Sequence, residues 1–362
     1  MPYSLNATIL SMMGVLLISS ILILSHSTFS VQAQNSSSSH NVTNSIYIPT
    51  TISQEAQDML KNLSMGVSTL VIPSPDDLKG WQKLNQQVSS MLMEMSQPIV
   101  DRYQPNITAT ELGNVTTLDI KPKDWRDNGK VLVYVHGGGH TLLGANSTLG
   151  FAVPVASSTG LRTVSIDYTL APLSKWNQTT GEVLSVIQAL MEKQGYSIKD
   201  IAMYGDSAGG GLAAGSILKM RDEGIGIPAA LVLWSPWIDV TGKGDTYVTL
   251  ENADPITSAN LTLKNMADAY ANPSDQENPY VSPVYGNFSN GFPPTLIQGG
   301  TKEVLLSDFV RLYQAVDQAG IPVKLDIYEG MPHDFQYILL GTPESTLAIS
   351  KMNDFLKEYL IR

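Results

Sequence analysis

The chain has 362 residues, a formal charge of −11 and no cysteine. That length buries a large core, while the acidic balance excludes a surface built for nucleic acid or for an anionic membrane. The missing cysteine excludes a disulfide scaffold, thiol catalysis and cysteine-ligated zinc.

Ile9 to Leu24 is a nearly unbroken apolar run. Polar residues follow it, and then Val31-Gln32-Ala33, a small-x-small pattern that suits a signal peptidase. Residues 1–33 are therefore expected to be a secretory signal peptide, even though Met1 to Thr8 holds no Lys or Arg. An uncleaved signal anchor is the alternative, because the run is only slightly shorter than a membrane span. No membrane span is expected in the mature chain. Asn-x-Ser/Thr occurs at Asn6, Asn35, Asn41, Asn62, Asn106, Asn114, Asn146, Asn177, Asn260 and Asn287, where composition alone gives about three. The excess agrees with export.

Residues 34–50 begin with a Ser/Asn-rich stretch and read as a flexible tether. Residues 51–105 read as a helical cap. Ala56, Met59, Leu60 and Leu63 share one helical face, Leu84, Val88, Leu92 and Met95 share another, and Pro73 and Pro75 separate the two runs. Met91-Leu-Met-Glu-Met95 reads first as helix packing and second as a soft wall for an apolar ligand.

Residues 106–362 are expected to form one α/β domain. Strand-like runs stand at Val131–Val135, Thr163–Asp167, Ile201–Tyr204, Ala230–Leu233, Thr295–Gln298 and Val323–Tyr328, with helical runs at Gly181–Gln194, Ser207–Arg221, Asp308–Gln318 and Pro343–Leu360. Alternation of this kind predicts a mostly parallel sheet with helices on both faces and working residues at the carboxyl ends of its strands. The segment from Asp239 to Tyr285 is long enough to help roof a pocket.

Tyr204-Gly-Asp-Ser-Ala-Gly209 joins an apolar strand to an apolar helix. A sharp turn there lifts the Ser207 hydroxyl clear of the sheet, and Gly205 and Gly209 are needed because backbone crowds both positions, with Asp206 between Gly205 and the serine. A second strand runs into His136-Gly137-Gly138-Gly139, and bare glycine N–H groups are the donors that a tetrahedral oxyanion requires. Gly138, Gly139 and Ala208 are the expected oxyanion donors. No Walker lysine or dinucleotide fingerprint accompanies these glycines.

A general base should be a histidine. His26 lies in the leader, His40 in the tether, and His136 and His140 flank the glycines, which leaves His333, directly after a strand. It follows the serine, in the Ser, acid, His order. Glu303 and Asp308 are the candidate acids. Asp308 already has a role at the start of a helix, favourable to its dipole, so Glu303 is preferred and Asp308 is the alternative.

His136-Gly-Gly-Gly139, Asp167-Tyr-Thr-Leu-Ala-Pro172, Gly205-Asp-Ser-Ala-Gly209, Ser235-Pro-Trp-Ile-Asp239 and Gly330-Met-Pro-His333 together resemble the hormone-sensitive-lipase-like family of α/β-hydrolase carboxylesterases, over roughly Val115 to the C-terminus. The resemblance implies an α/β-hydrolase fold with an N-terminal helical cap over the pocket. It also implies Ser207 as nucleophile, His333 as base, Glu303 as acid, and short- to medium-chain acyl esters as substrates. His140 stands where an aromatic residue is common, and Leu173 where Glu is usual. The chemistry needs neither metal nor organic cofactor, and the expected partner is a small apolar ester. A lactone hydrolase, a deacetylase, or a non-catalytic small-ligand binder of the same fold are the alternatives.

Overall fold

The computed structural model describes residues 47–64, 71–257 and 262–361. The expected signal peptide, residues 34–46 of the tether, and Asn260 lie outside them. Two helices come first, α1 (Gln54–Ser64) and α2 (Leu78–Tyr103), separated by the Pro73/Pro75 segment as the prolines predict. Asp77 caps α2 by accepting from Gly80 N–H.

The remaining strands are β1 (Asn106–Leu112), β2 (Val115–Lys121), β3 (Val131–Val135), β4 (Arg162–Ile166), β5 (Ile201–Asp206), β6 (Ala230–Trp234), β7 (Thr295–Gly300) and β8 (Val323–Tyr328). They form one sheet in the order β1-β2-β4-β3-β5-β6-β7-β8. Pairing is antiparallel between β1 and β2 and between β2 and β4, and parallel elsewhere.

The β1–β2 hairpin is absent from the sequence reading. Its turn is Gly113-Asn114, with φ of +61° and +63°, the left-handed pair that a two-residue hairpin needs.

The helices are α3 (Leu149–Thr159), α4 (Trp176–Gln194), α5 (Ser207–Asp222), α6 (Thr246–Thr249), α7 (Lys264–Tyr270), α8 (Leu306–Gln318), α9 (Phe335–Ile338) and α10 (Pro343–Tyr359). Of these, α3 has no amphipathic signature to betray it: seven of its eleven residues are buried and Pro154 lies inside it.

Because strand side chains alternate, the apolar run Val131–Val135 feeds two cores. Val131, Val133 and Val135 pack with α4, α5 and α8, while Leu132 and Tyr134 pack with α3 and α10. Burial on both faces is why these strands read as continuous apolar runs.

The two N-terminal helices take different seats. Ala56 and Leu60 of α1 pack on Tyr328, Met331, Phe335 and Leu339, around the loop that carries His333. In α2, Trp81 and Leu84 enter the core shared with α4 and α5. Leu92 packs instead on the opposite core, and Met95 is 41% exposed. Ser96 Oγ accepts from Gly150 N–H of α3 at 3.1 Å. Of the Met91–Met95 stretch, Leu92 packs on a core while Met93 and Met95 are exposed.

Candidate active site

β5 passes into α5 without a linker, and the change of direction falls on Ser207, whose φ is +50°. A non-glycine residue there is strained by about 1–3 kcal/mol. A Cβ on Gly205 would stand 2.6 Å from the Gly209 carbonyl, and one on Gly209 would collide with the Val135 and His136 carbonyls. Only glycine lets the two strand ends and the helix converge so closely.

The loop after β8 brings His333 to the serine. His333 Nε2 lies 2.9 Å from Ser207 Oγ, and Nδ1 lies 3.0 Å from Glu303 Oε2. A carboxylate only accepts, so Nδ1 carries the proton and Nε2 is left bare toward the serine. Glu303, just beyond β7, is fully buried. Its other oxygen accepts from Gly300 N–H at 2.6 Å and from Ser235 Oγ at 2.8 Å.

Burial works against a charged imidazole at His333. The carboxylates of Asp334, Glu303 and Asp254 outweigh it and raise the imidazole's affinity for a proton. Asp334 Oδ2 is 3.3 Å from Nε2.

Asp308 is not in this line. Its Oδ2 accepts from Ile238 N–H at 3.0 Å, Asp239 N–H at 2.9 Å and Tyr247 O–H at 3.1 Å. Burial, reinforced by nearby Asp239, pushes its carboxyl up to about 8.

The glycine loop lies against the serine's turn. Gly137 N–H donates to both carboxylate oxygens of Asp206 at 3.1 Å, and Tyr134 O–H donates to the same group at 2.6 Å. Burial raises Asp206 to about 6, against the pull of those donors. Asp206, read from sequence as a motif residue, is thus the clamp between the serine's turn and the glycine loop. His136 donates from Nδ1 to Gly137 O at 2.8 Å, and its ring stacks on Tyr168 at 4.2 Å. Beyond it Gly138 and Gly139 have φ of +100° and +61°. Ala208 lies in the first turn of α5, where backbone N–H groups have no intrahelical acceptor.

His140 is a neutral ring in an aromatic place. It stacks on Tyr270 at 3.6 Å and approaches Trp237 at 5.8 Å, and burial pushes its pKa down to about 3. Tyr270 belongs to α7, so the segment after Asp239 does reach the glycine loop. Met266 of the same helix fills the space that a side chain at Gly139 would need.

Four residues of this neighbourhood were not singled out from sequence: Ser235, Asp334, Met266 and Asn85, whose side chain accepts from Leu143 N–H at 2.5 Å. Ser235 and Asp334 lie within or beside the quoted motifs and were within reach; Met266 and Asn85 carry no local signal. A cleft of about 350 Å³ opens beside Asn85, between the start of α2, Thr141, Leu143 and Leu170. No cluster of three or more metal-ligating side chains occurs among the described residues.

A strand-turn-helix serine with a buried histidine and carboxylate behind it, on a sheet of this order, defines an α/β-hydrolase. A sequence profile of the alpha/beta hydrolase fold matches residues 132–337, and the chain belongs to that family. Within it, the chain is a carboxylic ester hydrolase of the hormone-sensitive-lipase-like kind. An acetyl-hydrolase from Streptomyces hygroscopicus is 32% identical over 249 residues, 68% of this chain and 82% of that protein. A crystal structure of an esterase from the bacterial hormone-sensitive lipase family is 27% identical with a TM-score of 0.69, over 76% of this chain and 97% of the other. A further esterase crystal structure is 25% identical with a TM-score of 0.78, over 92% and 99%.

Proposed function

We propose that this chain is an exported serine carboxylesterase that hydrolyses short- to medium-chain acyl esters through an acyl-enzyme, with Ser207, His333 and Glu303 as its triad. The observation that carries the reading is the unbroken hydrogen-bonded line from Ser207 Oγ through the imidazole to Glu303, at 2.9 and 3.0 Å.

Ser207 Oγ attacks the ester carbonyl carbon as His333 Nε2 takes its proton. Glu303 holds the imidazole in the Nδ1–H tautomer and stabilises the cation. The carbonyl oxygen becomes an oxyanion facing the N–H groups of Gly138, Gly139 and Ala208. Collapse expels the alcohol, which receives the proton from Nε2 and leaves an acyl-serine. Water then repeats the sequence, with His333 as base, and releases the acid and Ser207. The name of the Streptomyces relative, an acetyl-hydrolase, supports a short acyl group.

Export rests on the leader and on the sequons. Asn106, Asn114, Asn146, Asn177 and Asn287 are exposed, and Asn62 is half-buried, so each of the exposed five is reachable by a glycan-transferring enzyme. No helix among the described residues is long and apolar enough to cross a membrane.

The test is turnover of p-nitrophenyl esters of rising chain length by the mature protein and by Ser207→Ala. Hydrolysis strongest at short and medium chains, and a loss on the order of 10⁴-fold or more in kcat for the variant, is the expected result. Undiminished hydrolysis by folded Ser207→Ala overturns the assignment.

A further inference from the structure

We infer that Asn85, on the cap helix, is a positioning residue for the oxyanion donors. The inference rests on the reading of Gly138 and Gly139 given above.

The loop from Gly137 to Leu143 is under conformational tension. Gly138 and Gly139 are left-handed, as glycine allows, but so are His140 at +62° and Leu143 at +73°, where an L side chain is disfavoured. Such a loop keeps its shape only where its surroundings over-determine it. Its internal bonds, from Thr141 N–H and Leu142 N–H to Gly138 O at 3.1 and 2.9 Å, close a turn but do not tie that turn to the serine.

Three outside ties do so. The start is held by Gly137 N–H on the Asp206 carboxylate. The middle is held by Ala171 N–H donating to His140 O at 2.8 Å. The end is held by Leu143 N–H donating to Asn85 Oδ1 at 2.5 Å, across 58 residues of sequence. Of the three, the last alone comes from the cap.

Asn85 is itself well seated. Ser89 Oγ, one turn on, donates to the same Oδ1 at 2.9 Å. The preceding turn is anchored by buried Trp81 and Leu84, with Trp81 Nε1–H on Ser74 O at 3.0 Å. The segment ahead of it is pinned by Asn265 Nδ2–H on Pro73 O at 3.0 Å, next to the Met266 that packs on Gly139. Helix α2 therefore sets where the loop ends, and through it where the Gly138 and Gly139 amides point. Those amides matter only once the carbonyl becomes an oxyanion, so their misplacement weakens the transition state and spares ground-state binding.

The test compares Asn85→Leu, which deletes the acceptor, with Asn85→Asp, which keeps one for Leu143 N–H. Both are measured for kcat and KM on p-nitrophenyl acetate and for binding of an aryl trifluoromethyl ketone, which forms a tetrahedral adduct on the serine. Asn85→Leu is expected to lose about 10- to 100-fold in kcat, somewhat less than deletion of a whole oxyanion donor, with KM within about twofold. Its affinity for the ketone is expected to fall in the same proportion, and Asn85→Asp to recover most of both. A folded Asn85→Leu with unchanged kcat overturns the inference, as does a loss confined to KM or an Asn85→Asp as impaired as Asn85→Leu. If Ser207→Ala remains active, the underlying triad reading fails instead, which separates the two outcomes.

Discussion

Ser235 donates its hydroxyl to Glu303 Oε1 at 2.8 Å. The same hydroxyl oxygen accepts from Asp334 N–H at 2.9 Å, and Ser235 N–H donates to Gln298 O at 2.8 Å. One residue just past β6 thus joins the end of β7, the buried carboxylate and the residue that follows His333. Its own φ is +45°, a strained conformation held by these bonds. With Gly300 N–H on the same oxygen, Glu303 Oε1 accepts from two donors in a site without exposure.

That environment separates the two acids. Glu303→Gln is expected to lower kcat by several orders of magnitude, because an amide cannot hold the Nδ1–H tautomer while stabilising an imidazolium. Asp308→Asn should leave kcat per folded molecule nearly unchanged, since it retains an acceptor for Ile238 and Asp239. Kinetics with active-site titration on both variants checks this, and the reverse ranking would move the acid to Asp308.

Asp308 should instead show itself in stability. Its folded pKa, pushed up to about 8, lies above the value of roughly 4 it takes in an unfolded chain. The folded state therefore binds more protons between those limits, and stability falls as pH rises through that window. Asp308→Asn removes this contribution, so its stability should decline less steeply from about pH 4 to about pH 8. Denaturant melts across the range test the sign, and identical slopes in the two proteins would refute it.

The pH profile of the free enzyme should report the carboxylates around His333. Asp334, Glu303 and Asp254 together raise the imidazole's proton affinity against burial. Asp334→Asn removes a negative neighbour 3.3 Å from Nε2, so the imidazolium is less stabilised and the acid limb of kcat/KM should move to lower pH. Glu303→Gln should move it the same way at far lower turnover. A shift to higher pH in Asp334→Asn would contradict the argument.

Chain-length selectivity should follow α7 rather than the middle of α2. Leu92 packs on the core beneath α3 and Met95 points largely to solvent, whereas Met266 sits against Gly139. Leu92→Ala is expected to cost stability, about 1–3 kcal/mol for a half-buried leucine, with an unchanged acyl-chain profile. Met266→Ala should alter that profile by tens of fold at most, the scale of one or two methylenes in an apolar pocket. A profile shifted by Leu92→Ala and untouched by Met266→Ala would return the acyl contacts to the cap.

Export predicts a mature N-terminus close to Gln34. Intact-mass and N-terminal peptide mass spectrometry of the native protein should find it there, with added glycan mass on some of the exposed sequons. A chain that retains Met1 in a membrane fraction would establish the signal anchor instead.

The strands, the long helices and the candidate chemistry were legible in the chain itself, because each announces itself locally. A sheet covered on both faces needs continuous apolar runs, such as Val131–Val135. A serine at a strand-to-helix turn needs Gly205 and Gly209, and a five-histidine inventory leaves only His333 once the leader, the tether and the two histidines flanking the glycines are set aside. Where the signal was weak the reading failed: α3 is apolar all round, and the β1–β2 hairpin announces itself only through Gly113-Asn114 and a modest alternation.

Distance, by contrast, was decided only by the tertiary structure. That Glu303 rather than Asp308 lies 3.0 Å from His333 depends on how β7 and β8 pair. That Asn85 reaches Leu143, and Met266 reaches Gly139, depends on how two far segments pack onto one loop. Periodicity and turn chemistry act over a few residues, so they mark what a segment is. Contacts across 30 or 58 residues are settled by packing and burial of the whole chain, which no local pattern encodes.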